Sequence, residues 1–306
     1  MSWMPSNDPI LGDPLTCDAL ELVIVPRTRD LGDGFEVRRA LPHGKRQMVG
    51  PFIFFDHFGP VQFMSGKGMD VRPHPHIGLA TVTYLFEGAM VHRDSLGVVQ
   101  RIEPGAINWM TAGRGIVHSE RTPDDLRGLT RRSHGLQLWA ALPEADEETE
   151  PSFAHTPARD IPQQEVGGAR VRVLIGSAFG AASPVAVRSS TLYLDIALSA
   201  GDGFPLPPAA ERAVYVIDGV AQLDGTDLPP GQMVVLAPDE EPMLSADGEA
   251  RVVLIGGAPL GHRHMWWNFV SSRKERIVMA ADDWAAGRFP AVPGETEFIP
   301  LPDKRP

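Results

Sequence analysis

Apolar residues along the chain gather in short runs rich in β-branched and aromatic side chains, closed off by glycine, proline or acidic residues. That is the pattern of strands joined by turns. Such runs fall at Leu22–Val25, Phe35–Ala40, Phe52–Phe55, Thr81–Phe86, Val98–Ile102, Ile107–Met110 and Leu136–Ala141. Gly32-Asp33-Gly34, Glu87-Gly88 and Pro104-Gly105 supply turns between them. A second set follows at Val171–Ile175, Thr191–Leu198, Ala213–Ile217, Ala221–Leu223, Met233–Leu236 and Val252–Ile255. Between the sets lies Pro143–Pro151, so densely acidic that its like charges are expected to repel and stay solvated. It predicts an interdomain connection, with one domain over residues 1–145 and another over 146–306.

The two sets echo each other. Tyr84–Gly88 matches Tyr215–Gly219, and each is followed by a strand, a Pro-Gly turn (Pro104-Gly105, Pro230-Gly231) and another strand. This pattern suggests a duplicated antiparallel unit, hence an all-β chain built as a sandwich or jelly-roll barrel. Only the end departs from it. Ser272 and Glu275 have capping-box spacing, Ile277, Ala280, Ala281 and Trp284 recur at helical intervals, and Gly287 and Pro290 supply a stop. One short C-terminal helix is predicted, with Trp284, like Trp266 and Trp267, read as core.

Composition narrows the function classes. The 306 residues include 31 glycines and 29 prolines, too much punctuation for a helical protein. The net charge of −11 argues against direct nucleic-acid binding. The longest apolar runs, such as Met233–Ala237, fall far short of the ~20 residues of a membrane span. Met1–Pro14 lacks the pattern of a secretory signal, so a soluble cytoplasmic protein is expected. The single cysteine, Cys17, excludes a multi-cysteine metal site and reads as inert.

The chemistry lies in the ten histidines. His74-Pro75-His76 places two imidazoles on one face of a strand, because residues i and i+2 of a strand point the same way. Downstream, His118 and Glu120 repeat that spacing after Gly113-Arg114-Gly115. Two such strands side by side would bring His74, His76, His118 and Glu120 to one point. That donor set suits iron(II), manganese, nickel, copper or zinc, and leaves positions open for substrate. Other histidines read differently. His262 and His264 lie past the last strand and read as loop residues. His92 reads as solvent-exposed in a turn. His57, beside Asp56, reads as a turn residue or as a hydrogen-bond partner of a ligand imidazole, and Arg114 as a solvated loop residue. No histidine falls between Thr156 and Gly261, so the second domain has no histidine-based site.

Gly68, His74-Pro75-His76 and Gly88 resemble the first motif of the cupin superfamily. Pro51–Pro60, Pro73–Gly78, Thr81–Gly88, Met110–Glu120 and Gly135–Trp139 resemble the pirin family more closely. The likeness is dense over about residues 50–143 and patchier later, at Gly257–Leu260 and Trp267–Ser271. It implies two cupin jelly-roll barrels in tandem, the first holding a metal, usually iron, through three histidines and a glutamate. At matching positions these are His74, His76, His118 and Glu120. Where most cupins place a glutamate soon after His-x-His, this chain has Ala80 and Thr81, so the carboxylate must come from Glu120. Gly113 and Thr122 stand where many cupins carry proline and asparagine. The resemblance implies oxidation of quercetin-like flavonols with O2, Glu120 taking the substrate's hydroxyl proton. It equally allows a non-catalytic, metal- or redox-responsive protein that docks on a protein partner, the mammalian member of the family being known as a nuclear transcriptional coregulator. A non-oxidative cupin reaction is a third possibility.

Overall fold

The computed structural model describes residues 19–30 and 36–306. Cys17 and the Gly32–Gly34 turn lie outside the described residues. Alternating burial organises the strands into two units of one plan. The first pairs a seven-stranded sheet with a four-stranded one. The large sheet runs Ser152–Thr156, Ile107–Thr111, Leu79–Glu87, Arg131–Ala141, Phe52–Phe63, Glu36–Leu41, Arg27–Asp30. The small sheet runs Asp70–His76, Ile116–Arg121, Met90–Asp94, Val99–Ile102. The second unit repeats the seven-plus-four plan. Its large sheet is centred on Glu211–Asp218, Ala250–Gly257 and Thr191–Leu198, and its small sheet runs Gly203–Pro205, Met243–Ser245, Ala221–Leu223, Thr226–Leu228. The architecture is thus mostly β, with two cupin barrels and a C-terminal helix, Lys274–Ala285.

The large sheets pack face to face. Phe52, Phe55, Val82, Tyr84 and Leu138 of the first meet Tyr193, Tyr215, Met233, Val253 and Ile255 of the second in one continuous core. Burial on this scale contributes roughly 1.5–3 kcal/mol for each large apolar side chain. The units also trade edges. Leu20–Ile24, early in the chain, pairs with Met233–Leu236 of the second sheet, whereas Ser152–Thr156, beyond the acidic stretch, pairs with Ile107–Thr111 of the first.

The acidic stretch is solvated, as its charge pattern predicted, at Glu144, Glu148 and Glu150, but not at Glu147. Glu147 is 3% exposed; its carboxylate lies 3.0 Å from Arg263 Nε and accepts from Ser271 Oγ, Ser272 N and Ser272 Oγ. Asp146 pairs with Arg188, and Glu148 with Arg273 and Arg276. Three donors and one guanidinium outweigh the cost of burying that acid. Glu147 also takes Ser272 away from helix capping: Arg273 is the N-cap, with no side-chain cap bond. Ile277, Ala280 and Ala281 are buried as their spacing predicted, against Trp267 and Phe269.

Candidate metal centre

The site grows from one edge strand of the small sheet. Asp70–His76 pairs antiparallel with Ile116–Arg121, and His74 stands directly opposite His118. Proline, which cannot donate to a ladder, is tolerated at such an edge, and Pro73 and Pro75 flank His74 there. The register slips between His118 and Glu120, so that the four residues Val71–His74 face three, His118–Glu120, on the neighbour. This bulge re-aims the strand beside the site. The free edge is covered by the C-terminal segment: Ile299 N donates to Pro73 O, and Phe269 bridges Ile77. Gly78 permits that approach. It holds φ at +67°, and a Cβ there would overlap the Val270 carbonyl.

His74, His76 and His118 are 1–2% exposed, and one ring nitrogen from each lies within 4.8 Å of the others. Their outer nitrogens determine which. His74 Nδ1 donates to Arg72 O at 2.9 Å and His76 Nδ1 to Asn268 O at 3.1 Å, since a carbonyl can only accept. His118 Nδ1 meets His92 Nδ1 at 3.3 Å, and His92 Nε2 meets Asp94 Oδ2 at 2.9 Å. The carboxylate accepts from His92 Nε2, which leaves His92 Nδ1 as acceptor and His118 Nδ1 as donor. Asp94 is itself fixed, its Oδ1 accepting from Leu96 N and Val98 N. All three Nδ1 atoms therefore carry protons, and all three Nε2 atoms carry lone pairs. His118 Nε2 is buried with no partner among the described residues. Burial holds the three imidazoles well below their ordinary pKa, so they stay neutral and able to ligate. An all-imidazole set with oriented outer nitrogens fits a single divalent transition metal.

Glu120 is 6% exposed on the same strand as His118, beside His92 across the ladder. Burial raises its carboxyl above the ordinary range. Its oxygens lie outside the group whose donor atoms are all within 4.8 Å of one another. The barrel interior beside the histidines is apolar, with Trp139 edge-on to His76 at 5.1 Å and Met110, Ile116 and Phe54 around it.

The remaining sequence candidates separate. His92 is buried, not solvent-exposed: Met90, His92 and Asp94 alternate inward along one strand, and Phe153 stacks on the imidazole at 4.3 Å. That alternation was the available signal, masked by the charged residues around it. Nothing local announces Asn268, whose backbone alone is used. His57 is neither a turn residue nor a partner of a ligand imidazole. It sits within Phe52–Phe63 at the interface between barrels, 2.9 Å from Tyr215 Oη and 2.7 Å from His134 Nε2. Asp56 instead holds Arg39 with two bonds of 2.8 Å. Arg114 pairs with Glu150 at the surface. His262 and His264 meet edge to face and stay outside the three-histidine group, and His264 opens the strand His264–Trp266 and is not a loop residue past the last strand. Among the described residues, no helix is long and apolar enough to cross a membrane.

Residues 34–140 match the pirin family and residues 193–290 match the pirin C-terminal cupin domain. The chain belongs to the pirin family. It is 48% identical over 291 residues to a pirin-like protein of Caulobacter vibrioides, covering 93% of this chain and 100% of the relative. Among solved structures it resembles a quercetin 2,3-dioxygenase from Acinetobacter baumannii, with 37% identity and a TM-score of 0.83 over 92% of this chain and 96% of that one. A bacterial pirin from Escherichia coli, solved in complex with nickel(II), shares the fold at 20% identity and a TM-score of 0.61, over 78% of this chain and 98% of its own.

Proposed function

We propose that this pirin is a metal-dependent dioxygenase that cleaves quercetin-like flavonols with O2. In this reading His74, His76, His118 and Glu120 hold one divalent metal, most favourably iron(II), with manganese, nickel, copper or zinc as substitutes. The observation that carries it is the convergence of three neutral imidazoles, each anchored through Nδ1, with the buried Nε2 of His118 lacking any partner among the described residues. The likeness to a quercetin 2,3-dioxygenase supports the choice of substrate class. The catalytic unit is the first barrel, drawn from residues 1–145 with Ser152–Thr156 added at its edge, and the second barrel, drawn from 146–306 with Leu20–Ile24 added, is its histidine-poor companion.

When bound, the metal supplies a Lewis-acidic, redox-active centre for flavonol and dioxygen. The chain's own residues do the rest. Asp94 and His92 fix the tautomer and orientation of His118 through two successive hydrogen bonds. The Asn268 carbonyl does the same for His76. The Glu120 carboxylate accepts the substrate's 3-hydroxyl proton. Trp139 and the apolar wall around it keep bulk water from the reacting face.

The test is oxygen uptake and loss of the flavonol absorbance by iron-loaded protein given quercetin, with metal content measured in parallel. E120Q is expected to lower turnover about 10²–10⁴-fold while retaining metal, and H76A to lose both. Wild-type oxygen uptake in both variants, or none by the loaded native protein, overturns the proposal. Stoichiometric metal without oxygen uptake would point instead to a metal-responsive protein acting through a partner. Turnover under strict anaerobiosis would point to non-oxidative chemistry.

A further inference from the structure

Where the two large sheets cease to face each other they leave a cleft of about 540 Å³. It is bounded by Phe86 and Gly105 of the first barrel, Arg159 of the connection, and Arg170, Ala197 and Arg251 of the second barrel. The strand register explains its floor. Val171, Val173, Leu194, Ile196, Val252 and Leu254 fill the interior of the second barrel, so the residues between them face outward. Two rungs result. On the inner rung Arg172 lies beside Asp195 and Asp195 beside Val253; on the outer rung Arg170 lies beside Ala197 and Ala197 beside Arg251.

The inner rung is saturated. Arg172 donates to Tyr84 Oη at 2.7 Å and to the carbonyls of Gly105 and Ala158 at 2.9 and 3.0 Å. Asp195 accepts from Tyr84 Oη at 2.6 Å and from Arg251 Nε and Nη2 at 2.9 and 2.7 Å. The outer rung is not. Arg251 is held along one edge by Asp195 and lies 4.2 Å over the Phe86 ring. Arg170 is exposed and forms no ion pair among the described residues. Between them Ala197 has too short a side chain to fill the gap, and the flanking strands stand about 9–10 Å apart. Four arginines and one already paired aspartate line the cleft, while Glu165 lies beside Arg170 and Asp218 beside Arg251 at the two ends of the outer rung.

We propose that this cleft binds a small oxyanion, the phosphate or carboxylate group of a compact ligand, clamped between Arg170 and Arg251 above Ala197. A guanidinium presents paired donors that match both groups. Arg251 is already immobilised by Asp195 and Phe86, so little ordering cost remains on its side. Asp202, Asp218 and Glu249 border an adjoining hollow that shares Arg170 and Arg251. Their charge directs the anion to the opposite side, towards Arg159. A ligand there would touch both barrels and the connection. The proposal is independent of the dioxygenase reading.

The test is calorimetric titration of the full, metal-loaded protein with inorganic phosphate and, separately, with succinate, at ionic strength held constant with sodium chloride. One saturable site for either anion is expected, together with a raised Tm, and the arm that binds identifies the group. R170Q, a change at an exposed position, is expected to weaken binding roughly tenfold. Titration of chelator-treated protein is expected to give the same affinity. The proposal is overturned if neither anion exceeds the chloride control or if R170Q binds as tightly as the native chain. Loss of binding on metal removal also overturns it, because the anion would then be sitting on the metal.

Discussion

The two barrels share a plan of seven strands against four, yet they treat the same place in opposite ways. Where the first barrel sets His74 opposite His118 across the outer two strands of its small sheet, the second sets Phe204 opposite Leu244. Both pairs are buried, at 1–3% exposure or less. Phe204 and Leu244 need only neighbours, and Leu206, Leu223 and Leu228 provide them. The histidines each need a partner for the nitrogen that faces away from the cavity, and the first barrel recruits these from Arg72, His92 and, far along the chain, Asn268. A candidate metal centre on this scaffold thus depends on the supports as much as on the donors.

The sharpest way to break that comparison is to move the donors without the supports. F204H/L244H in the second barrel should lower stability by about 3–5 kcal/mol, from lost apolar burial and unsatisfied imidazoles. Metal analysis should still find no second equivalent; a second bound metal would show that supports are dispensable. Next is the strap that holds the C-terminal hairpin on the first barrel. E147A leaves Arg263 charged and buried without its partner, and should cost about 3–5 kcal/mol in denaturant unfolding. An effect under about 1 kcal/mol would make the buried pair incidental. D94N disturbs only the orientation of His118 through His92 and should weaken metal affinity about 10–100-fold, with little change in Tm. An unchanged affinity would remove His92 and Asp94 from the site.

The mildest prediction concerns the interface between barrels. Burial first, then nearby Arg38, lowers the His57 pKa from 6.5 to about 2; burial, then Arg251, lowers that of His134 to about 4. The unfolded chain takes up these protons from about pH 6.5 downward while the folded one does not. Stability is therefore complete above that pH and declines as pH falls through the window from about 6.5 to 4 and below. H57Q should flatten the decline measured by thermal unfolding across that window. An unaltered slope would mean that other groups govern it.

Much of this was legible in advance, for reasons specific to particular residues. The imidazoles of His74, His76 and His118 could be placed because strand periodicity and flanking glycines constrain them locally. The helix was readable from Ile277, Ala280 and Ala281. The supports were not. His92 is surrounded by polar residues that mimic an exposed turn. Glu147 looks like its acidic neighbours until Arg263, more than a hundred positions later, folds against it. Ser272 had a cap written locally and a stronger acceptor waiting elsewhere. Each failure involves a long-range partner winning against a local pattern.

The traded edge strands bear on how the gene can be divided. A fragment ending at residue 145 lacks Ser152–Thr156 and leaves Ile107–Thr111 paired only on its other side, with Leu79–Glu87. A fragment beginning at 146 lacks Leu20–Ile24 and strips Met233–Leu236 in the same manner. Each severed half would thus offer a sticky β-edge to any passing chain, and separate expression of the halves courts aggregation where the intact polypeptide closes both flanks itself.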